Sequence, residues 1–193
     1  MTKIALPDQL ITARLALRRW READLEPFAA LNSDIEVMQY FPSTLDRAQS
    51  AAMIERIEKS FSEDALGLWA VEESESRDFI GFVGLSKPKF KAHFTPCVEV
   101  GWRLAKQYWG KGYAREAAQA AMQDGFDRLA LVEIVSFTAK LNARSIKVME
   151  RLKMTRNERD DFMHPVLAPD HPLCLHVLYR LTASDRSSSF AES

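Results

Sequence analysis

Cysteine and long apolar runs are both scarce in this chain of 193 residues. The two cysteines, Cys97 and Cys174, lie far apart and form no Cys-x-x-Cys pair of the kind used in zinc or redox sites. The longest uncharged stretches, 37–45 and 171–179, are far shorter than the ~20 residues that span a bilayer. The first residues also lack the apolar segment of a secretory signal. We therefore expect a cytoplasmic protein with no metal site and no membrane segment.

Net charge is almost absent as well. The 26 Lys and Arg residues nearly balance the 27 Asp and Glu residues, so the chain has no broad positive field for a phosphate backbone. We expect no nucleic-acid partner. The length fits one domain, since domains usually have about 100–200 residues, and we assign it to residues 1–183. The serine-rich segment 184–193 is predicted to be a flexible tail.

Apolar periodicity predicts the fold class. Alternation predicts seven strands, at 13–20, 68–73, 78–86, 96–104, 133–139, 155–162 and 176–182. Helical spacing predicts four helices, which begin near residues 22, 44, 112 and 145. A meander followed by a strand–helix–strand crossover indicates a mixed α/β domain. We expect a mostly antiparallel sheet of about seven strands flanked by about four helices.

The segment 98–118, VEVGWRLAKQYWGKGYAREAA, joins a predicted strand to a predicted helix through a loop with two glycines. Gly110 and Gly112 allow positive φ, so backbone N–H groups can converge on an anion at the positive end of the helix, and Lys111 adds a charge. The loop lacks the third glycine of a dinucleotide fingerprint and the Lys-Ser/Thr pair of a nucleoside-triphosphate loop. It is predicted to bind phosphate; the alternative is a glycine-relieved entry into a helix.

The same segment resembles the Q/R-x-x-G-x-G/A signature of the GNAT superfamily of acyl-CoA-dependent N-acyltransferases, present here from Gln107 to Gly112. Its wider run is similar to the RimJ/RimL-type branch, which acetylates the N-terminal amine of ribosomal proteins. Asn142 and Ser145 match a second family element, N-x-x-S. The resemblance covers most of residues 10–182. It implies an acetyl-CoA-dependent N-acetyltransferase in which a primary amine attacks the donor directly in a ternary complex.

The resemblance also implies where acetyl-CoA binds. The loop from Gln107 to Ala114 is expected to hold the pyrophosphate, and the pantetheine arm is expected in a splay between the strands of Glu99 and Ser136. Relatives commonly have a bulge that corresponds to Val100 and Gly101 here. The implied cofactor-binding residues are Val100, Gly101, Trp102, Gln107, Tyr108, Trp109, Gly110, Lys111, Gly112, Tyr113, Ala114, Asn142 and Ser145.

Two residues are implied to move protons. Glu99 is the expected general base; the alternative is that it pairs with Arg103 or another cation. Ser145 is implied to protonate the CoA sulfur, and the alternative is that it caps its helix. Met149 stands where many relatives have a tyrosine that acts as the general acid. In this chain Ser145 or solvent is left to protonate the CoA sulfur.

Other readings stay open. A covalent route could use Cys97, which is two residues before Glu99 on the same strand face. A non-catalytic acyl-CoA-binding or sensing protein is a second class of function. The acceptor is either a protein N-terminus or a small-molecule amine, and its pocket is expected between 40–42 and the histidine-containing segment 164–176. Relatives often form dimers, so the resemblance allows a homodimer.

Overall fold

The structure is a computed structural model, and it describes residues 5–186. The strands are β1 (Gln9–Ile11), β2 (Leu15–Arg18), β3 (Leu68–Glu73), β4 (Phe79–Ser86), β5 (Glu99–Leu104), β6 (Glu133–Ala139), β7 (Thr155–Arg156), β8 (Phe162–Met163) and β9 (Leu175–Thr182). The α-helices are α1 (Leu25–Ser33), α2 (Ile35–Met38), α3 (Arg47–Asp64), α4 (Tyr113–Arg128) and α5 (Ala143–Arg151).

One sheet contains all nine of these strands. Its order is β1-β2-β3-β4-β5-β6-β9-β7, with β8 also paired to β9. Among the described strands β5 and β6 are parallel, and the other neighbouring pairs are antiparallel. The expected mixed, mostly antiparallel sheet is therefore confirmed, and residues 5–186 contain nine strands rather than about seven and five α-helices rather than about four.

The predicted strand 155–162 is wrong in its extent. A 3₁₀ turn, Glu158–Asp160, divides it into β7 and β8. The turn forms because the side-chain oxygen of Asn157 accepts a hydrogen bond from the N–H of Arg159, which gives the backbone an alternative to the strand ladder. The predicted strand 13–20 is also shorter in the structure, and β1 is an additional edge strand beside it.

The two faces of β5 have different neighbours. Val100 and Leu104 belong to a core cluster with the alanines of α4, of which Ala117 is fully buried. Successive side chains of a strand alternate between faces, so Glu99, Gly101 and Arg103 lie on the opposite side, the side of α1. The site described below lies on that second face and at the end of the sheet where α4 begins.

No helix within residues 5–186 is both long and apolar enough to cross a bilayer. The same residues contain no group of three side chains suited to hold a metal ion. The predicted tail begins at residue 184, and its residues 187–193 lie outside the described part of the chain.

Candidate functional site

The glycine loop has the backbone that its sequence predicts. Gly110 and Gly112 have φ values of 76° and 86°, both in the left-handed region. Gly112 is the N-cap of α4, and no side chain in the described residues caps this helix start. A Cβ at Gly110 would meet no atom within 4 Å, so the loop is open on that side. Uncapped N–H groups at the positive end of a helix dipole form an anion site.

A network from the N-terminal part of the chain holds this loop in place. Arg14 donates from Nη1 to the carbonyl of Lys111 at 3.0 Å and from Nε to Glu116 of α4 at 2.8 Å. Thr12 donates to the other carboxylate oxygen of Glu116 at 2.7 Å. Neither Arg14 nor Glu116 is recognisable as a site residue from the sequence, because 102 residues separate them and no short motif connects them.

Trp109 connects the loop to α5. Its indole Nε1 donates to the carbonyl of Leu104 at 2.7 Å, and the guanidinium carbon of Arg144 lies 4.0 Å from the centre of its ring. Lys147 and Arg151 follow Arg144 at helical spacing, and all three line the same cleft as Trp109. This row of cations was not predicted from the sequence. The signal is present, because Lys147 and Arg151 lie three and seven residues after Arg144, a spacing that puts all three on one face of a helix.

The splay between β5 and β6 is present. The two strands pair at one position, Glu99 with Val135, and Val135 N donates to Val98 O at 2.9 Å. The bulge expected near Val100 and Gly101 is wrong, since the β4–β5 register runs without a shift from Ser86–Glu99 to Gly81–Leu104. Gly101 lies opposite Gly84, and this pair of small residues fits a regular ladder. β5 therefore separates from β6 while it keeps a regular register with β4.

Glu99 lies at the splay and points along the strand over Gly101. Its Oε1 is 3.9 Å from the position that a Cβ of Gly101 would occupy. Burial raises the pKa of Glu99 to about 8. Within residues 5–186 no cationic side chain forms an ion pair with it, so the alternative pairing with Arg103 is wrong. Instead, Arg103 donates from Nη1 to Oδ1 of Asn32 at 2.5 Å.

Asn142 organises the start of α5. It is the N-cap, and its Oδ1 accepts from the N–H of Ser145 at 3.2 Å. Its Nδ2 donates to Oγ of Thr138 and to Oγ of Ser145, each at 3.0 Å. The cap acceptor is therefore Asn142 rather than Ser145. Because Ser145 Oγ accepts a hydrogen bond, its own proton is available to a group in the cleft. Met149 is fully buried.

Cys97 has the properties of an unreactive thiol. Burial, with the nearby charge of Glu99, raises its pKa to about 11. A thiol with this pKa is almost entirely protonated at neutral pH and is a poor nucleophile. The described residues that line the cleft do not include Cys97.

A cleft of about 570 Å³ brings most of the predicted site residues together, a volume typical of small-molecule sites. Its lining includes Glu99, Val100, Gly101, Trp102, Tyr108, Trp109, Gly110, Gly112, Tyr113, Ala114, Asn142 and Ser145. Gln107 and Lys111 are not in the lining, and the Lys111 ammonium lies 5.1 Å from the ring centre of Tyr108. Tyr40, Phe41 and Pro42 form part of the wall, as expected for an acceptor pocket.

The charges in the cleft are mostly positive. In the described residues its lining contains one carboxyl group, that of Glu99, and the cationic side chains of Arg103, Arg115, Arg144, Lys147 and Arg151. His164 and His176 also line it, with ring centres 4.8 Å apart. Burial lowers the pKa of His176 to about 4 and also lowers that of His164, so both rings are neutral at neutral pH. The cleft therefore suits an anionic ligand.

Comparison with known proteins identifies the family to which this fold and this cleft belong. The model of the acetyltransferase (GNAT) domain family matches residues 14–155. This chain belongs to the GNAT acetyltransferase family. The match includes the glycine loop, Glu99 and the start of α5.

Individual relatives agree with this assignment. The chain is 29% identical over 151 residues to the uncharacterized N-acetyltransferase p20 of Bacillus licheniformis, covering 77% of this chain and 83% of that protein. It is 27% identical over 147 residues to YkkB of Bacillus subtilis, covering 76% and 84%. A solved acetyltransferase from Agrobacterium tumefaciens is 25% identical, with a TM-score of 0.73 and coverage of 92% and 95%. A GNAT-family acetyltransferase from Bacillus anthracis has a TM-score of 0.75 at 24% identity, covering 91% and 99%.

Proposed function

We propose that this protein transfers the acetyl group of acetyl-CoA to a primary amine, by direct attack in a ternary complex. One observation carries the proposal: the uncapped start of α4, the splay between β5 and β6, and the carboxyl group of Glu99 all open into one cleft. These three features correspond to the needs of an acyl donor with a phosphate end, a peptide-like arm and a thioester. We further propose that the protein acts in the cytoplasm.

The glycine loop is the proposed site of the CoA diphosphate. The N–H groups that follow Gly112 can donate to phosphate oxygens, and the open side of Gly110 lets the ligand approach the backbone. Arg144, Lys147 and Arg151 supply positive charge beside the loop. Phosphate groups are strongly attracted to such a combination of cations and backbone donors.

The pantetheine arm is proposed to lie in the splay. It contains two amides, which need hydrogen-bond partners when they leave water. Beyond the Glu99–Val135 pair, β5 and β6 no longer pair with each other, so backbone groups there remain available to a ligand. The cleft-lining residues Val100, Gly101 and Trp102 on β5, and Ser136 on β6, are the proposed contacts.

Glu99 and Ser145 are the proposed proton-transfer groups. Glu99 accepts a proton from the ammonium form of the acceptor, directly or through water, and the free amine nitrogen attacks the thioester carbonyl carbon as the carbon–sulfur bond breaks. The departing thiolate takes a proton from solvent or from Oγ of Ser145, which solvent then reprotonates; the surplus proton on the amide nitrogen and the proton on Glu99 are released to solvent. The pKa of about 8 for Glu99 is close to the ~7.7–8.0 of an α-ammonium group, so the transfer that generates the free amine is nearly balanced.

The resemblance of the segment 98–118 to RimJ/RimL-type enzymes favours this branch of the family. Members of the branch acetylate α-amines, which are partly neutral at pH 7 and need little activation. We therefore place the acceptor among primary amines, either a protein N-terminus or a small molecule. A polycationic amine fits less well, because the cleft lining is itself mostly cationic.

An amine panel tests the proposal. Thiol release from acetyl-CoA is measured over α-amines, alkylamines and amino sugars, and acetyl-CoA binding is measured by calorimetry on the same protein. Amine-dependent thiol release together with binding supports an acetyltransferase. Binding without transfer to any amine would favour the alternative function, a non-catalytic acyl-CoA sensor. That alternative is tested because the buried Met149 stands where many relatives have a tyrosine that acts as the general acid. Absence of binding by folded protein would refute both readings.

A further inference from the structure

Arg103 is a buried cation without a buried anion. The residue is 7% exposed, and its Nε is buried with no hydrogen-bond partner. Within residues 5–186 no carboxylate forms an ion pair with it, and its polar contact is the neutral amide of Asn32. Asn32 is itself fully buried and donates to Oγ of Ser50 at 2.9 Å, which keeps the amide fixed. The guanidinium of Arg103 therefore faces the rings of Phe41 and Phe82 but no anion within the described residues.

Another buried arginine shows how this chain compensates such a charge elsewhere. Arg18 is 6% exposed and forms ion pairs with Asp24 and with Glu72, each at 2.7 Å. These carboxylates raise the pKa of Arg18, whereas burial lowers the pKa of Arg103 to about 10. A buried charge is costly unless it is paired. The difference indicates that Arg103 has no anionic partner among residues 5–186.

The position of Arg103 indicates where an anionic partner would lie. Arg103 lines the cleft on the same face of β5 as Glu99, and Gly101 between them has no side chain to fill the space. The ring of Phe41, in the wall predicted for the acceptor, lies 4.1 Å from the guanidinium carbon. The other cations of the cleft lining, Arg115, Arg144, Lys147 and Arg151, belong to α4 and α5. Arg103 therefore lies beside the wall predicted for the acceptor.

We infer that the acceptor amine carries a carboxylate, which pairs with Arg103 while the amine lies at Glu99. This inference rests on the function proposed above. The planar guanidinium of Arg103 matches a planar, singly charged carboxylate. It is the class of anion that one cation can neutralise.

The side chains of Glu99 and Arg103 lie on one strand face on either side of Gly101. The Cα atoms of Glu99 and Arg103 are roughly 13 Å apart, at about 3.3 Å for each of four residues, but the carboxyl group of Glu99 lies over Gly101 between them. The acceptor is therefore an amino acid or a peptide that has a carboxylate besides the reacting amine, and acceptors of different length test how far apart these two groups lie.

Matched acceptors test the inference without any mutation. The ratio of kcat/KM for ε-aminocaproate to that for hexylamine, and for γ-aminobutyrate to that for butylamine, isolates the carboxylate. We expect at least one of the two ratios to exceed ten, and the larger ratio identifies the better spacing between amine and carboxylate. Ratios near one for both pairs would overturn the inference, while transfer to the alkylamines would still support the proposed function. Phosphate-bearing amines of the same length provide a third arm, and a preference for them would identify phosphate instead.

Variants then connect the preference to Arg103. Arg103→Met should lower the ratio at least tenfold, and Arg103→Lys should retain part of it. Arg144→Met is the matched control: it removes a cleft cation that lies over Trp109 of the glycine loop, so it should raise the KM for acetyl-CoA and leave the acceptor ratio unchanged. If Arg103→Met and Arg144→Met lowered the acceptor ratio equally, the preference would come from the overall positive charge of the cleft. That result would refute a specific pair between Arg103 and the acceptor carboxylate. Thermal unfolding of each variant shows whether its fold is retained.

Discussion

Asn142 donates a hydrogen bond from Nδ2 to Oγ of Ser145 at 3.0 Å, while its Oδ1 caps the backbone N–H of the same serine at 3.2 Å. One amide therefore performs the capping and orients the hydroxyl group. From the sequence, Ser145 is a candidate both for the helix cap and for the proton donor. In the structure Asn142 provides the cap. The serine can be altered at its side chain without removal of the helix cap.

Ser145→Ala should lower kcat about 10²- to 10⁴-fold, the usual range for loss of a positioned proton donor. Its stability should change by less than about 0.5 kcal/mol, because the cap remains. Asn142→Ala should instead cost about 1 kcal/mol of stability, as for other cap deletions. Steady-state kinetics and chemical denaturation of both variants measure the contrast. A Ser145→Ala enzyme with wild-type kcat would leave solvent as the proton source.

Glu99→Gln should lower kcat by about tenfold or more with little change in acetyl-CoA affinity. In the wild type, kcat/KM should fall as the pH decreases below about 8, because Glu99 must be ionised to accept a proton. The glutamine variant should lose this limb of the pH profile. An unchanged profile in the variant would remove Glu99 from the mechanism.

The pKa of Glu99 also predicts how stability depends on pH. Its value in the folded protein, about 8, is above the ordinary value of 4.5. Stability that is present below pH 4.5 is therefore lost as the pH rises through 8, since ionisation inside the cleft is unfavourable. The free energy of unfolding of Glu99→Gln minus that of the wild type should therefore be larger at pH 9 than at pH 5. Denaturant unfolding of both proteins at the two pH values measures this difference.

Gly110→Ala should weaken acetyl-CoA binding by about tenfold or more, because a Cβ at this position fills the open side of an anion site. The substitution should also cost about 1 kcal/mol of stability, since φ is 76°. Gly110→Asn is the control: asparagine tolerates this φ but still has a Cβ. Calorimetry should show weak binding in both variants, and full rescue by asparagine would attribute the effect to backbone conformation alone.

Cys97→Ala should leave kcat within about twofold of the wild type, as expected for direct attack. The pKa of about 11 explains why the thiol is not a ready nucleophile. Rapid-mixing experiments should show no acetyl-enzyme before the acceptor is added. A collapse of turnover with the fold preserved, or a burst of thiol release without acceptor, would establish a covalent route.

Much of the fold follows from local patterns that act over a few residues. The alternation of β5 and the alanine stripe of α4 depend on side-chain periodicity, and both elements form where predicted. Gly110 and Gly112 have the positive φ values that glycine favours. In contrast, the break between β7 and β8 comes from one side-chain hydrogen bond at Asn157, which competes with a strand ladder and leaves no periodic signal.

The parts of the site that sequence reasoning missed depend on distant pairs. Arg103 and Asn32 are 71 residues apart, and Arg14 and Glu116 are 102 apart. A charged residue looks the same in a sequence whether its partner is a carboxylate, an amide or absent. The compensated Arg18 and the uncompensated Arg103 become distinguishable once the chain is folded.

The solitary Glu99–Val135 pair makes the middle of the sheet a seam between two blocks of strands, β1–β5 and β6–β9. A donor molecule bound between β5 and β6 links the two blocks, because it forms hydrogen bonds to both of them. Donor binding should therefore slow amide hydrogen exchange on both sides of the seam and tie the opening of one block to that of the other.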